Sequence, residues 1–204
     1  MRPTWSHLPL LLLAACVSGE PPPGEAIGTF SFVATLEPAT EPDRCAFEGA
    51  PPRIAFEGSL SHDPLTDDAW LQIDGTLREG TLEGAAFDLR MPKQPDGSRR
   101  LVPRQLRACD CTLGFAESLA GTLVPRMEDG CETLPEPGPA GADTCPRIDE
   151  AGELSWDTCG GACGTLVETV RPTAPCTCVV DGEEQRAPEE CKFVYRLEAR
   201  RIGG

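Results

Sequence analysis

Hydrophobic and polar residues alternate along several short segments of the chain. In the first of them, Phe30, Phe32, Ala34 and Leu36 fall on one face, with mostly smaller or polar residues between them. Segments 54–60, 69–73, 85–89 and 193–199 have the same two-residue period. A period of two predicts β-strands, and strict alternation is typical of antiparallel sheets with one solvent-exposed face.

A short motif of glycine, a β-hydroxy residue and an apolar residue recurs at irregular spacing. It begins at Gly28, Gly58, Gly75, Gly80, Gly121 and Gly164. We interpret each glycine as a turn or bulge at a strand entry, with turns expected at Asp74-Gly75 and Glu79-Gly80. Glycine or proline interrupts every candidate amphipathic helix. The sequence therefore predicts an all-β fold with little helix, either an antiparallel β-sandwich or a partly closed barrel.

Proline and glycine also divide the chain. Residues 16–28 are rich in both and predict an extended tether. Residues 29–204 are long enough for a single β domain, and the Pro- and Gly-rich stretch 127–147 predicts a long loop or seam within it. Cys131 and Cys145 flank that stretch, so a disulfide between them is one hypothesis.

The N-terminus has the features of an export signal. Arg2 is followed by an apolar run, interrupted by Pro9, that is too short to cross a bilayer of about 30 Å. The run ends in Leu13-Ala14-Ala15-Cys16, which resembles the lipobox of bacterial lipoproteins. The resemblance implies that residues 1–15 are a signal peptide and that Cys16 carries diacylglycerol. An ordinary signal cleaved nearby is the alternative.

Location and partners are expectations from this resemblance and from charge. Val17 follows Cys16, and the lipoprotein sorting rule reserves inner-membrane retention for Asp at that position, so an outer-membrane anchor is expected. A formal net charge of −15 argues against general nucleic-acid binding. The expected partners are the membrane, through the lipid, and an envelope protein or glycan.

Removing Cys16 from the eleven cysteines leaves an even number, which favours complete pairing in an oxidising compartment. The disulfide candidates are Cys45, Cys109, Cys111, Cys131, Cys145, Cys159, Cys163, Cys176, Cys178 and Cys191. Two C-x-C pairs occur among them, and each member is expected to bond a different neighbour because an i,i+2 bond is awkward on a strand. Thiolate binding of Zn²⁺ or Cu(I) is the weaker alternative, since no C-x₂-C spacing is present.

Catalytic signals are weak. The only histidine after the signal, His62, lies in a predicted loop and is expected to be exposed, and no serine has the G-x-S-x-G context. Calcium could bind acidic turns, although none matches a calcium loop. These turns are Asp63, Asp67 and Asp68; Glu128 and Asp129; and Asp181, Glu183 and Glu184. A glycosidase-like hydrolase needs two facing carboxylates, which sequence cannot select.

One basic cluster stands out in an acidic chain. Arg99, Arg100, Arg104 and Arg107 surround a predicted turn at Asp96-Gly97. They suit an acidic partner or phosphate, but solvated arginines paired with nearby acids on the exposed face are the favoured interpretation. The sequence predicts no metal site and no cofactor, and it favours a non-catalytic, lipid-anchored binding or scaffold module. A carboxylate-dependent hydrolase and a calcium-binding surface protein are the alternatives.

Overall fold

A computed structural model describes residues 21–39, 41, 43–125, 131, 145–149, 152 and 154–204, almost all of them in strands or the turns between strands. The strands are β1 (Glu25–Leu36), β2 (Arg53–His62), β3 (Asp68–Ile73), β4 (Thr76–Glu83), β5 (Ala86–Arg90), β6 (Val102–Gln105), β7 (Thr112–Pro125), β8 (Arg147–Ile148), β9 (Leu154–Ser155), β10 (Cys159–Pro172), β11 (Thr177–Val180), β12 (Glu183–Arg186) and β13 (Cys191–Gly203).

Eight of these strands form a closed antiparallel barrel. Strands β1 to β5 pair in chain order, followed by β7, β10 and β13, and β13 pairs with β1 to close the ring. The short β6 pairs with the beginning of β7, on the side opposite β10 and beyond the end of β5. The pairs β8–β9 and β11–β12 lie outside the barrel sheet. The all-β prediction is confirmed, and the architecture is a barrel rather than a sandwich.

Alternation explains why the barrel has one core. Inward-facing positions of β1 and β13, such as Phe30, Phe32, Tyr195 and Leu197, are buried, while their sequence neighbours are more exposed. Four of the five alternating segments of the sequence lie within strands, in β1, β2, β3 and β13. The segment 85–89 begins one residue before β5. Each of these five strands therefore follows from its own hydrophobic pattern.

The recurrent glycines have two roles, and only one was predicted. The predicted turn at Asp74-Gly75 is confirmed, since both residues have positive φ as a two-residue hairpin turn requires. The prediction of a turn at Glu79-Gly80 is wrong, because both residues lie inside β4. Gly121 and Gly164 also lie within strands, and they face each other in register between β7 and β10. A methyl carbon on Gly164 would lie 2.6 Å from the Cα atom of Gly121, so the close approach of the two backbones requires glycine.

This contact gives a first prediction. We expect Gly164→Ala to lower the free energy of unfolding by about 2 kcal/mol, although alanine normally suits a strand better than glycine, because the methyl group must push two strands apart. Gly203→Ala is the matched control, since a methyl there would meet nothing closer than Thr29 Cβ at 3.8 Å. Urea unfolding of both variants measures the difference. Equal stability of the two variants would contradict the close-approach explanation.

The two halves of the barrel are filled differently. Toward the end where β1 and β10 begin, which we call the tryptophan end because Trp156 lies there, large apolar side chains fill the interior. The void between Phe30, Leu60, Phe87 and their neighbours measures only about 10 Å³, about the space of one water molecule. Toward the other end, where β2 and β4 begin, the barrel contains a cavity. We call this the cavity end.

Five disulfides join all ten of the predicted cysteines. The two C-x-C pairs bond to each other in antiparallel order, Cys109 to Cys178 and Cys111 to Cys176, which confirms that each member bonds a different neighbour. Cys45 bonds Cys191. The predicted Cys131–Cys145 bond is wrong: Cys131 bonds Cys163 and Cys145 bonds Cys159. Both bonds tie residues flanking the Pro-rich stretch to β10 rather than to each other.

The predicted tether is shorter than the sequence indicated. Residues 25–28 belong to β1, where Ile27 is buried, and the Pro23 carbonyl accepts a hydrogen bond from Ser61 Oγ at 2.6 Å. Irregular pairing between Ala26 and Gly28 hid this strand start from the alternation pattern. The predicted signal peptide and Cys16 lie outside the described residues, as does most of the stretch 127–147. The described part of the chain contains no helix with the length and hydrophobicity that a bilayer crossing requires.

Candidate functional site

The cavity end of the barrel encloses about 440 Å³. Residues of β2, β3, β4, β6, β7 and β10, together with Met91 next to β5, line it. The apolar part of the lining consists of Ile54, Phe56, Ile73, Met91, Leu119 and Leu166. This volume lies within the range of small-molecule sites, which are about 300–1,000 Å³ and mainly apolar with a few polar groups.

A row of hydrogen-bonded polar side chains, most of them in the lining of the cavity, crosses the barrel from β4 to β13. Arg78 Nη2 donates to Glu117 Oε2, and Arg78 Nη1 donates to the carbonyls of Ile73 and Thr76 at 3.3 and 2.9 Å. Arg104 Nη2 donates to Glu117 Oε1 at 2.9 Å, and its Nη1 donates to an oxygen of Glu168.

This row of side chains ends at β13, where Tyr195 Oη donates to Glu168 Oε2 at 3.2 Å. We call Arg78, Glu117, Arg104, Glu168 and Tyr195 the charged network. It contains two positive and two negative side chains, so it is neutral when both glutamates are ionised. Burying isolated charges is costly, and the pairing within the network offsets part of that cost.

Burial decides how Glu168 titrates. Glu168 is 2% exposed, and burial raises its pKa above the ordinary value despite the opposing effects of Arg104 and Tyr195, while Glu117 adds to the rise. Burial also raises the pKa of Tyr195, and the nearby Glu168 carboxylate adds to that shift. Burial alone would lower the pKa of Arg104, but its two carboxylate partners outweigh burial and raise it. Of these groups, Glu168 is therefore the one whose proton uptake the site favours.

Arg104 is the most accessible charged group of the network. Its side chain is 36% exposed, compared with 14% for Glu117 and 9% for Arg78. Its Cζ atom lies 4.7 Å from the centre of the Phe115 ring, and this cation–π contact fixes the guanidinium at the side of the cavity. The most accessible group of the network is therefore a cation, although the chain as a whole is acidic.

Sequence reasoning placed Arg104 in a solvated cluster, which is wrong. Arg104 reaches into the cavity from β6, whereas Arg100 and Arg107 are exposed and Arg99 is half-buried. The predicted turn at Asp96-Gly97 is present, with Gly97 at positive φ and Asp96 accepting a hydrogen bond from Ser98. The β6 register that turns Arg104 inward depends on pairing with β7 and has no local sequence signal.

Sequence reasoning did not single out Arg78, Glu117, Glu168 or Tyr195 as site residues. A signal was present at the two glutamates. Glu117 lies at the inward parity between Phe115 and Leu119, and Glu168 lies at the same parity between Leu166 and Val170. A charged residue among the apolar, inward-facing positions of a strand is expected to be buried. A buried charge is a stronger indication of a functional site than an exposed acid.

The predicted acidic turns do not form a metal centre among the described residues. Asp63 and Asp68 form hydrogen bonds within the β2–β3 turn, from Leu65 N and Thr66 Oγ1 respectively. Asp181 occupies the positive-φ position of the β11–β12 turn. Glu128 and Asp129 lie outside the described residues. The one described cluster with metal-ligand spacing is Asp110, Cys111 and Cys176, and both of its sulfurs are in a disulfide.

His62 is not the exposed loop residue that the sequence predicted. It is the last residue of β2, is 3% exposed, and lies at the tryptophan end. Its Nε2 atom accepts a hydrogen bond from Trp156 Nε1 at 3.0 Å, and the two rings meet edge to face with centroids 4.8 Å apart. Arg201 Nη1 donates to the Trp156 carbonyl at 2.8 Å, which holds the tryptophan over this end of the barrel.

The His62 contact gives a second prediction. Burial lowers the pKa of His62 below its ordinary value of 6.5, while Glu25, Asp63 and Asp67 oppose the shift. The unfolded chain then binds more protons than the folded chain as the pH falls below about 6.5, so His62 makes the free energy of unfolding decrease on acidification. Urea unfolding at pH 7.5 and 5.5 measures this decrease.

His62→Gln is the control, because its amide oxygen can accept the Trp156 hydrogen bond but does not titrate. We expect the loss of stability between pH 7.5 and 5.5 to be smaller in this variant. The difference between the two proteins isolates His62, since the raised pKa of Glu168 contributes the opposite slope in both. Parallel pH profiles would contradict the assignment.

Comparison with known proteins finds no protein-family model that matches the chain, and no solved structure matches it significantly.

Proposed function

We propose that this protein is a lipid-anchored binding protein of the bacterial cell envelope that holds a small amphipathic ligand in the cavity end of its barrel. The location is supported by the lipobox-like sequence ending at Cys16 and by five disulfides, which persist in oxidising compartments. The anchor is proposed to be in the outer membrane, because Val17 does not carry the inner-membrane retention signal.

The cavity is the observation that supports binding most directly. A barrel of eight strands has an interior just wide enough either to be filled by its own side chains or to hold one small ligand. Here the tryptophan half is filled and the cavity half leaves about 440 Å³ with an apolar wall. A cavity lined by a buried ionic network costs more to build than an apolar core of the same volume, which favours a selected function for it.

A carboxylate-dependent hydrolase is the second candidate, because Glu117 and Glu168 lie in one cavity and the pKa of Glu168 is raised. A carboxyl group with a raised pKa beside a second carboxylate is the arrangement that general acid catalysis uses. Both carboxylates, however, are bound by Arg104, and each of their four oxygens accepts a hydrogen bond within the network. Both carboxylates are engaged in the ion pairs that hold the network together, so binding is the stronger proposal.

Binding of a neutral apolar fluorophore, N-phenyl-1-naphthylamine, tests the cavity. We expect saturable fluorescence enhancement at one site per chain. Ile54→Trp should reduce it strongly, because the larger side chain enters the cavity, whereas Glu57→Trp on the outer face of the same strand should leave it unchanged. If the fluorophore does not bind, or if both tryptophan variants bind it equally well, the cavity proposal is wrong.

The intact mass of the protein from its own membrane fraction tests the anchor. Diacyl modification at Cys16, with no alkylated thiols before reduction and ten after it, is the expected result. An unlipidated mature protein cleaved elsewhere would overturn the anchored location without affecting the cavity.

A further inference from the structure

The hydrogen-bonding capacity of the charged network is unequally used. Both oxygens of Glu117 are occupied, one by Arg78 and one by Arg104. Both oxygens of Glu168 are occupied as well, one by Arg104 and one by Tyr195. The carboxylate oxygens of the charged network therefore all have hydrogen-bond partners.

Arg104 has donors to spare. A guanidinium has five N–H groups, and the carboxylates of Glu117 and Glu168 take one each from Nη2 and Nη1. Arg104 is also the network member with the largest exposed fraction, and its position over Phe115 fixes the plane of the donors. Among the network residues, the polar surface available to a ligand is therefore a fixed, positively charged donor beside an apolar wall. The other charged residue of the lining is Asp74, an exposed acid in the turn between β3 and β4.

We propose that the cavity selects amphipathic monocarboxylates, with the apolar chain against Phe56, Ile73 and Leu119 and the carboxylate bound to the free donors of Arg104. This inference rests on the proposed binding function. Arginine is suited to the role because its planar fork matches a carboxylate in two parallel hydrogen bonds. A monoanion fits better than a dianion, since Glu117 and Glu168 already place two negative charges beside the same guanidinium.

A ligand carboxylate adds one negative charge to the site, and Glu168 can accept the proton that balances this charge. Three side chains face Glu168 on β10: Arg104 from β6, Glu117 from β7 and Tyr195 from β13. Arg78 lies behind Glu117 on β4. When a ligand carboxylate takes its place on Arg104, protonation of Glu168 restores neutrality. Because burial already raises the pKa of Glu168, we expect carboxylate binding to be tighter at pH 6 than at pH 8 and to take up a proton.

Titration calorimetry of the intact, folded protein with three ten-carbon probes tests the head-group preference. The probes are decanoate, 1-decanol and decyltrimethylammonium, each below its micellar concentration. We expect decanoate to bind more tightly than decanol by on the order of tenfold to a hundredfold, the range for hydrogen bonds to a charged group, and the cation to bind most weakly.

Two variants assign the preference to Arg104. In the charge-balanced double variant R104Q/E168Q, the ratio of the decanoate and decanol affinities should fall to near one. R90Q should retain the wild-type ratio, because Arg90 lies on β5 with an exposed side chain paired to Asp88. If the double variant does not fold, the head-group series on the wild-type protein still decides whether the cavity selects carboxylates.

The outcomes separate this inference from the function on which it rests. Fluorophore binding with equal affinities for decanoate and decanol, or with the cation bound best, would overturn carboxylate selection and leave the cavity proposal standing. Absence of binding for the fluorophore and for all three probes would overturn both. A preference for decanoate that the double variant retains would show that Arg104 is not the head-group residue, and would also overturn the inference.

Discussion

Replacing Arg104 with methionine is expected to lower the free energy of unfolding by about 3 kcal/mol. Removing one partner of a buried ion pair typically costs about 3–5 kcal/mol, because the other charge is left without compensation. The partner left behind here is Glu168, which is 2% exposed and cannot be rehydrated in place. The lower end of that range applies because Arg104 itself is 36% exposed, so water reaches part of the site. Urea unfolding at pH 7 measures the loss.

A double variant distinguishes the unpaired charge from lost packing. In Arg104→Met combined with Glu168→Leu, the buried negative charge is gone, and we expect at least half of the lost stability to return. Recovery is incomplete because Tyr195 Oη loses its acceptor. Arg90→Met is the matched control for an exposed pair, and it should cost less than about 1 kcal/mol. A double variant that is less stable than the single variant would contradict this account of the network.

The strands that were predictable from sequence are those whose inward positions are all apolar. Phe30, Phe32 and Ala34 define β1 without ambiguity, and Phe193, Tyr195 and Leu197 define β13. Strands β7 and β10 were not predicted as continuous strands, although they are the longest in the barrel at 14 residues each. In each of these strands, a glycine and a glutamate occupy inward-facing positions, and they interrupt the apolar pattern that would predict a strand.

Those interruptions have physical causes that only the closed barrel reveals. Gly121 and Gly164 are needed because β7 and β10 approach each other too closely for a side chain. Glu117 and Glu168 are tolerated because Arg104, brought in by β6, lies between them. Both explanations require contacts between residues far apart in sequence. A single sequence shows the irregularity but not the partner that makes it stable.

The same reasoning explains the errors at Arg104 and His62. Each is flanked by polar or turn-forming residues, so its local sequence indicates solvent exposure. Arg104 is instead turned into the cavity by the pairing of β6 with β7, and His62 is covered by Trp156, which is 94 residues away in sequence. The disulfide pairing could not be predicted from the sequence, because it also depends on contacts between distant residues. The sequence predicted only that the members of each C-x-C pair bond to different neighbours.

The two C-x-C pairs lead to the second large expected effect. Cys109–Cys178 and Cys111–Cys176 join the same two segments at positions two residues apart, with sequence separations of 69 and 65. While one bond is intact, the other closes only a very small ring. Removing Cys111–Cys176 alone, by Cys111→Ala and Cys176→Ala, should therefore cost only about 2 kcal/mol of unfolding free energy, because the unfolded chain gains only the freedom of this small ring.

Removing both bonds should cost about 5–6 kcal/mol, since a loop of 69 residues then opens in the unfolded state in addition to the small ring. Other disulfides within that loop shorten it, but loop entropy depends only weakly on length. Cys45–Cys191 is the internal control, because it joins residues 146 apart with no second bond beside it, and its removal alone should cost about as much as removal of both C-x-C bonds. Urea unfolding of the three variants under non-reducing conditions measures the costs. Equal losses from each C-x-C bond that add to the loss of both would show that the bonds act through native-state contacts rather than through a shared constraint on the unfolded chain.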